Sequence, residues 1–308
     1  MNTWYCAVPV ATMWTSPESV RDIDRAGLTN PVRLTKWLEQ LSFEVRLDLY
    51  EGNRVQTQLL YGEPVIVEET QGDWAKVIAV WQPSKKDERG YPGWVPLVQL
   101  KEARPVRAQG FVKVTAGKAQ LWHVDGSPSI VIPFNVILPY MDEWSNDTVR
   151  VCTPDGEALL LNQDVEKAPS IHQFTKRPVA DAVDKGLAFL DVSYLWGGMS
   201  SYGYDCSGFT YNMLKACGYF IPRDADEQAC GSQVIPLDNP AHWKKGDLLF
   251  FANDEGKGTI RHVGFYYGDG VLLHAPSTGK SVELLKLQGS DLARDLCAVR
   301  RYGVKFHE

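Results

Sequence analysis

The sequence predicts an α+β protein in which two small all-β barrels precede a domain of mixed helices and strands. Short strand-like segments with turns repeat loosely within the first 165 residues. A helix is predicted to begin near Cys206, and a β-hairpin with two histidines is predicted after residue 260. A chain of 308 residues exceeds what one hydrophobic core usually holds, so two or three domains are expected.

The two barrels are predicted from the spacing of their strands. Residues 8–14 begin the first unit, and residues 112–122 begin the second. Each unit then has an acidic turn that contains tryptophan, at 72–74 in the first and at 142–144 in the second. Short strands with turns at such spacing are typical of small barrels. The first unit also carries a helix-containing insertion, 16–53, which we expect to pack against a neighbouring domain.

A cysteine at a predicted helix start is the first candidate for chemistry. Asp205 is the expected N-cap of a helix that begins near Cys206 and ends before Gly218. The N-terminus of a helix favours the thiolate, which is the reactive form of cysteine. On this segment alone, a reactive nucleophile and a buried, inert cysteine are both open alternatives.

Two histidines are predicted to share one face of a β-hairpin. The hairpin is closed by a three-residue loop, 268–270, with Tyr267 and Val271 as the expected closing pair. His262 and His274 are then diagonal neighbours, with about 7–8 Å between their Cα atoms. A two-residue loop would place the histidines on opposite faces, so the prediction depends on the odd loop length.

These three side chains supply what acyl transfer by a thiol requires. The reaction needs a nucleophile, a base that takes the thiol proton and returns it to the leaving group, and a polar group that orients the base. We assign Cys206 as the nucleophile, His262 as the general base and acid, and His274 as the orienting residue. A lone histidine in a strand is usually structural, whereas two on one face fit this set better.

The order of these residues resembles that of the NlpC-type papain-like cysteine endopeptidases, which cut bacterial cell-wall peptides. The resemblance covers residues 175–308. It is carried by five motifs in chain order: Tyr194-Leu195-Trp196-Gly197-Gly198, Asp205-Cys206-Ser207-Gly208-Phe209, Ile221-Pro222-Arg223-Asp224, Gly246-Asp247-Leu248-Leu249-Phe250-Phe251 and His262-Val263-Gly264. Over nearly the whole chain, the sequence also resembles the dipeptidyl-peptidase VI group, called YkfC-like, in which two bacterial SH3-like domains precede the peptidase.

The resemblance implies a domain order and a reaction. The fold expected is a papain-like cysteine peptidase domain preceded by two small all-β SH3-like barrels. The first SH3-like domain, with its helical insertion, spans 1–105, the second spans 106–165, and the peptidase spans 175–308. The reaction implied is hydrolysis of the bond between γ-D-glutamate and an L-diamino acid, lysine or diaminopimelate, in peptidoglycan stem peptides with a free N-terminal L-alanine. Such a reaction releases L-Ala-D-Glu and needs no cofactor.

A free α-amino group in a partly closed site needs a carboxylate and a hydroxyl or carbonyl partner. The resemblance implies that Asp224 binds this amine together with Tyr91, and that Arg223, on the same short loop, also binds the substrate. Propensity alone favours Asp224 as an N-cap of the next helix. A family glutamate matches Gln56 here, and Glu63 is the nearest acidic alternative. Gln56 would keep a hydrogen bond but remove one negative charge, which would weaken selection of a free N-terminus.

The resemblance also implies how the rest of the cleft is built. Tyr194 and Trp196 would line it, and Asp205 and Ser207 would hold the α-carboxylate of glutamate or the backbone around it. Charge develops on the scissile carbonyl oxygen, so an oxyanion hole is required. The backbone N–H of Cys206 is the expected donor, and the Tyr194 hydroxyl is a candidate for the second.

Composition excludes several other classes. A net charge of −6 without a basic stripe argues against a nucleic-acid binder. No apolar stretch of membrane-spanning length is present. Six cysteines without C-x-x-C spacing disfavour a zinc site, and reduced thiols are expected. The protein is also expected to be a monomer. Residues 1–6 lack the features of a signal peptide, so the protein would be cytoplasmic if Met1 is native and periplasmic or extracellular if a leader has been removed.

Two alternative functions remain open at this point. The first is a wall-binding protein whose barrels attach it to peptidoglycan and whose peptidase domain is secondary or inert. The second is a thiol acyltransferase or amidase on the same scaffold, because a nucleophile and a base serve any acyl transfer. The complete set of Cys206, His262 and His274 argues against the first. The Arg223-Asp224 loop and the two leading barrels argue against the second.

Overall fold

The structure is a computed structural model that describes residues 3–103 and 107–303. The predicted boundary between residues 105 and 106 lies outside the described residues, as do Met1 and the end of the chain at 308. No helix in the described part of the chain is long and apolar enough to cross a membrane. All six cysteines are free, as expected of reduced thiols.

The first β-rich unit is a single antiparallel sheet of seven strands. Its strands are β1 (Thr3–Cys6), β2 (Val10–Trp14), β3 (Val55–Leu60), β4 (Pro64–Gln71), β5 (Trp74–Ala79), β6 (Tyr91–Pro96) and β7 (Leu100–Ala103). They are arranged in the order β3-β2-β6-β5-β4-β1-β7. Alternating apolar side chains, among them Met13, Val77 and Val95, point into one buried core because successive residues of a strand face opposite sides.

The second β-rich unit repeats this arrangement. Its strands are β8 (Gly110–Val114), β9 (Lys118–Trp122), β10 (Pro128–Pro133), β11 (Ile137–Glu143), β12 (Thr148–Thr153), β13 (Gly156–Leu161) and β14 (Val165–Ala168). Their order, β10-β9-β13-β12-β11-β8-β14, is the order of the first sheet position by position. The predicted internal repeat is therefore confirmed by topology.

Neither sheet closes into a full barrel among the described strands. The edge strands β3 and β7 do not pair with each other in the first sheet, nor do β10 and β14 in the second. The β3 edge packs instead against the segment that contains Met199, whose backbone N–H donates a hydrogen bond to the Gln58 side chain at 3.0 Å. Cover from a neighbouring domain protects an open edge as closure would.

The insertion lies between β2 and β3 and is helical, as predicted. It contains 3₁₀ turns at Pro17–Ser19 and Asp22–Gly27, then α1 (Leu34–Gln40) and α2 (Phe43–Glu51). Trp37 of α1 anchors it, since its ring lies 6.2 Å from that of Trp14 and its Nε1 donates to Asp24 Oδ1 at 2.9 Å. The equivalent connection in the second unit, between β9 and β10, is only 123–127.

The remaining elements form a third unit that combines helices with an antiparallel sheet. Its elements are α3 (Ala180–Leu187), β15 (Met199–Ser200), β16 (Gly203–Tyr204), α4 (Cys206–Ala216), α5 (Ala225–Gln228), β17 (Gln233–Ile235), β18 (Leu248–Ala252), the short turn α6 (Asn253–Gly256), β19 (Ile260–Gly268), β20 (Val271–His274), β21 (Glu283–Lys286), α7 (Leu292–Asp295) and β22 (Leu296–Arg301). Six strands form one sheet in the order β17-β22-β18-β19-β20-β21.

Helix α4 is enclosed on all sides. Every one of its residues is buried. One side packs on β19, where the rings of Phe209 and Phe265 lie 6.1 Å apart. The Tyr211 hydroxyl donates to the backbone oxygen of Trp81 in the first unit at 2.6 Å. At the C-terminal end, Lys113 Nζ of the second unit donates to backbone oxygens of the last turn, a position where a cation is favourable.

Candidate active site

The hairpin that carries the histidines has the predicted register but a different closing pair. Phe265 lies opposite Leu273, as the prediction requires. Gly268, not Tyr267, then pairs with Val271, so the predicted closing pair is wrong. Tyr267 is the extra residue of a β-bulge, which places two residues of β19 opposite one of β20.

The turn explains why the strand register is the predicted one although the closing pair differs. Asp269 and Gly270 both have positive φ, 49° and 72°, as in the two-residue turns that favour Asp-Gly. A two-residue turn and a one-residue bulge together displace the chain by the same three residues as the predicted loop. The parity that places His262 and His274 on one face is therefore retained.

The two imidazoles are buried and directly hydrogen-bonded. His262 Nε2 lies 2.7 Å from His274 Nδ1. This bond leaves Nδ1 of His262 as the ring nitrogen that can serve a thiol. For that nitrogen to accept a proton, the hydrogen of His262 must sit on Nε2 and that of His274 on its own Nε2. The His274 Nε2 lies 3.5 Å from Glu283 Oε1, directly across the β20–β21 pairing, but makes no hydrogen bond to it.

Cys206 is the first residue of α4, as predicted. Asp205 is the N-cap, and its Oδ1 accepts a hydrogen bond from the backbone N–H of Gly208 at 2.7 Å. Gly208 also has to be glycine for packing, because a Cβ there would lie 2.1 Å from the backbone oxygen of Gly198. The Asp-Cys-Ser-Gly sequence thus caps the helix and lets its first turn approach the 195–198 turn closely.

Burial, not the helix terminus, dominates the charge state of the thiol. Burial and the neighbouring Asp205 carboxylate raise the pKa of Cys206 to about 12, although a backbone hydrogen bond from Val263 and the Arg223 cation act in the opposite direction. This overturns the expectation that the helix start holds a thiolate. Burial also lowers the pKa of His262 well below its ordinary value, and it lowers that of His274 to about 4. The free site therefore holds a neutral thiol and two neutral imidazoles.

Arg223 links Asp205 and Ser207, which flank Cys206, to the first unit. Its guanidinium donates to both carboxylate oxygens of Asp205, at 3.1 and 2.6 Å, and to Ser207 Oγ at 2.8 Å. Its Nε donates to Thr57 Oγ1 at 2.9 Å. All of these groups are buried. Asp205 and Ser207 do line the cleft, but in the free protein their side chains are held by Arg223.

The residues predicted to bind an amine come together in the cavity. Asp224 occupies the N-cap position of α5, yet its side chain makes no capping hydrogen bond. It accepts instead from the Tyr91 hydroxyl, 3.0 Å from its Oδ2. The Gln56 side chain lies beside them and accepts a hydrogen bond from Lys86 Nζ at 2.8 Å. Carboxylate, phenol and amide oxygens thus meet at one point, which we call the amine pocket.

Glu63 does not reach this pocket. It is buried inside the first unit, where its Oε2 accepts from the backbone N–H of Leu60 at 3.0 Å and its Oε1 accepts from Gln82 Nε2 at 2.9 Å. Of the two sequence candidates, Gln56 alone lines the cavity.

One cavity of about 740 Å³ joins the amine pocket to the thiol. Tyr194 and Trp196 line it, as predicted. Trp196 is fixed by a hydrogen bond from its Nε1 to the backbone oxygen of Val55 at 3.0 Å, and its ring lies 4.4 Å from that of Tyr50. Other lining residues are Phe43, Leu47, Asn53, Val55, Ala225, Asp226, Asn253, Thr259, Ile260, Arg261, Pro276, Ser277 and Thr278.

Sequence reasoning missed several of these residues. Phe43, Leu47 and Tyr50 belong to α2, so the insertion forms a wall of the cavity. The unusual length of the insertion was the signal available for this role. Lys86 gave no signal, because it is one of two adjacent lysines in a polar loop. Glu283 could have been found by strand parity only if β21 had been predicted.

The fold and the site define a cysteine hydrolase, in which a thiol at a helix start shares a cavity with a histidine on a sheet, and a second histidine is hydrogen-bonded to the first. The sequence pattern of the NlpC/P60 family matches residues 191–301, and that of the YKFC SH3b2 domain matches residues 114–167. The chain belongs to the NlpC/P60 family.

Relatives and solved structures extend this similarity to the whole chain. The gamma-D-glutamyl-L-lysine dipeptidyl-peptidase of Bacillus subtilis is 44% identical over 292 residues, which cover 95% of this chain and 96% of that protein. The protein of that name from Bacillus cereus is 37% identical over 303 residues, covering 96% and 89%. The crystal structure of an NlpC/P60 family protein from Bacillus cereus matches with a TM-score of 0.90 at 35% identity, covering 97% of this chain and 99% of that one. The predicted family and the α+β, papain-like fold class are confirmed.

Proposed function

We propose that this protein is a cysteine endopeptidase that hydrolyses the bond between γ-D-glutamate and an L-diamino acid in peptidoglycan stem peptides with a free N-terminal L-alanine. The observation that carries this proposal is the joining of the Cys206 site and the amine pocket in one cavity. Two relatives that match almost the whole chain are named for the same bond with lysine. The products are L-Ala-D-Glu and the remaining peptide.

Proton transfer accompanies attack in the mechanism that we propose, because the free thiol is neutral. As Cys206 Sγ attacks the scissile carbonyl carbon, His262 Nδ1 takes the thiol proton, and His274 holds the imidazolium through the Nε2–Nδ1 bond. The protonated His262 then gives the proton to the amine of the diamino acid as the C–N bond breaks. A thioester between the dipeptide and Cys206 remains, and water activated by His262 hydrolyses it.

Two donors stabilise the oxyanion in this proposal. The backbone N–H of Cys206 is the first, since the opening N–H groups of a helix have no partner within it. The Tyr194 hydroxyl is the second. Burial and the nearby Cys206 raise the pKa of Tyr194 well above its ordinary value, so this hydroxyl keeps the proton that it must donate.

The amine pocket supports cleavage after the second residue of the substrate. An ammonium group in a partly closed site needs a carboxylate nearby, and Asp224 supplies it. A fixed site for the N-terminus at one end of the cavity and a fixed nucleophile at the other set the length of the released piece. The α2 wall completes this enclosure from the first unit.

The proposal is tested with L-Ala-γ-D-Glu-L-Lys, its diaminopimelate analogue and their N-acetylated forms. Chromatography should detect L-Ala-D-Glu with the wild type and none with Cys206→Ala. Absence of release from every peptide at neutral and alkaline pH would refute the proposed function. Transfer of the dipeptide to an added amine in preference to water would favour the acyltransferase alternative.

Replacing Asp224 with asparagine is expected to raise KM for the free-amine peptide by about tenfold, because a charged hydrogen bond to the substrate is lost. KM for the N-acetylated peptide should change little. Asparagine keeps the shape of the side chain and suits an N-cap position. Glu227→Gln, on the same helix and outside the cavity lining, is the matched control, and equal effects of both variants on both peptides would contradict this role of Asp224.

The lowered pKa of His262 predicts that kcat/KM declines with acid only below pH 6.5. A base must be neutral to take a proton, and burial holds the pKa of His262 well below 6.5, so its neutral form persists as the pH falls through that value. We expect kcat/KM for the N-acetylated peptide, which lacks the titrating amine, to stay level between about pH 7.5 and 6.5. A decline centred at or above pH 6.5 would show that the base is not held neutral.

We also infer three structural units, namely the two SH3-like domains over 1–105 and 106–165 and the peptidase over 175–308. The identical strand orders of the first two sheets support this division. Strand β14 continues the second sheet to Ala168, which favours an end three residues later than 165.

A further inference from the structure

The amine pocket already contains a cation from the chain itself. Lys86 Nζ donates to Gln56 Oε1 at 2.8 Å, is hydrogen-bonded to the Tyr91 hydroxyl, and lies 3.6 Å from Asp224 Oδ2. It also sits over the Tyr91 ring, 4.2 Å from the centroid. All three polar groups of the pocket therefore converge on one ammonium group.

A substrate ammonium would need the same position. A lysine side chain and an N-terminal amine each present an –NH₃⁺ group with three N–H donors, so they compete for the same acceptors. A substrate ammonium bound to these acceptors would lie directly beside Lys86 Nζ. Two cations that close repel each other, so the pocket does not hold both. Gln56 adds no negative charge that could balance a second cation. Asp226 also lines the cavity and lies close to Asp224, but its carboxylate is paired with Lys85. Lys86 is the cation that faces the Asp224 carboxylate.

Lys86 is also able to leave. It lies on the loop between β5 and β6, and 37% of its side chain is exposed. A partly exposed ion pair made by a long, flexible side chain contributes little. Burial lowers the pKa of Lys86, against the pull of Asp224, so the pocket does not hold this cation as firmly as its contacts suggest.

We propose that Lys86 determines how strongly this enzyme selects a free N-terminus, by competing with the α-ammonium of the substrate for Asp224, Tyr91 and Gln56. This inference rests on the proposed function and deepens it. Free-amine peptides bind after Lys86 is displaced, and part of their binding energy is spent on that displacement. N-acylated peptides, which bring no charge, leave Lys86 in place. Lys86 therefore reduces the difference in binding affinity between free-amine peptides and N-acylated peptides.

Replacing Lys86 with methionine tests this competition, since methionine keeps an unbranched side chain and removes the charge. We expect KM for L-Ala-γ-D-Glu-L-Lys to fall about fivefold, the equivalent of about 1 kcal/mol. KM for the N-acetylated peptide should stay level or rise, so the ratio of the two kcat/KM values increases. Lys85→Met is the matched control, because Lys85 pairs with Asp226 and contacts none of the three pocket groups. It should leave both KM values unchanged.

An unchanged or higher KM for the free-amine peptide in Lys86→Met, with Lys85→Met behaving as wild type, would overturn the inference. This failure is distinct from failure of the proposed function, in which the wild type releases no dipeptide at all. Calorimetric titration of L-Ala-D-Glu into Cys206→Ala, with and without Lys86→Met, measures the competition without turnover. Binding about fivefold tighter in the double variant supports it, and equal affinities refute it.

Discussion

Replacing Cys206 with alanine is expected to lower kcat for L-Ala-γ-D-Glu-L-Lys by about 10⁴-fold or more, because removal of a covalent nucleophile removes the pathway that the base serves. The substitution deletes one sulfur atom from the first turn of α4 and leaves the Asp205 cap in place. Binding of the peptide should therefore persist. Dipeptide release at high enzyme concentration measures the loss, and calorimetry with intact peptide measures the retained affinity.

Cys230→Ala is the matched control for that experiment. Cys230 is exposed and lies outside the cavity lining, whereas Cys206 is buried and shares the cavity with His262. We expect this variant to keep its full activity. Loss of activity in Cys230→Ala together with retention in Cys206→Ala would reverse the assignment of the nucleophile.

Arg223→Met is expected to lower the free energy of unfolding by about 3–5 kcal/mol, since it leaves the buried Asp205 carboxylate without its partner. The Arg223 side chain is 1% exposed and that of Asp205 is 6% exposed, so water does not compensate for the loss. The bond to Thr57 of the first unit disappears as well. Denaturation by urea, followed by tryptophan fluorescence, gives the shift in stability.

A double variant tests whether the unpaired Asp205 carboxylate causes the loss of stability in Arg223→Met. In the double variant Asp205→Asn with Arg223→Met, no uncompensated charge remains, and asparagine still suits the N-cap position of α4. We expect the double variant to recover at least half of the stability lost by Arg223→Met. If the double variant is the less stable of the two, packing of the guanidinium and its bond to Thr57 outweigh the charge.

The catalytic side chains could be predicted because strand parity and helix capping act over short distances. Asp205, Cys206 and Gly208 define a helix start from neighbouring residues alone. His262 and His274 share a face because an odd number of residues separates their strands, whether as a loop or as a turn with a bulge. The exact closing pair was wrong, since the bulge depends on local backbone conformation that apolar patterning does not specify.

The amine pocket could not be predicted in the same way. Gln56, Lys86, Tyr91 and Asp224 come from three distant segments, and only tertiary packing brings them together. Resemblance supplied three of these residues, but an occupant such as Lys86 has no local pattern. The protonation state of Cys206 was missed for a related reason, because tertiary packing buries the thiol and raises its pKa, and no local sequence pattern reports that burial.

Helix α4 is held by both leading units, and this has a consequence for the order in which the chain is made. Its start is tied through Arg223 to Thr57 of the first unit, and its end receives the Lys113 ammonium from the second. Both supports precede α4 in the sequence, so they leave the ribosome before the segment that they hold. The reactive thiol is thus synthesised after the two units that contact its helix, and Arg223 and β19, which complete the enclosure of α4, follow it.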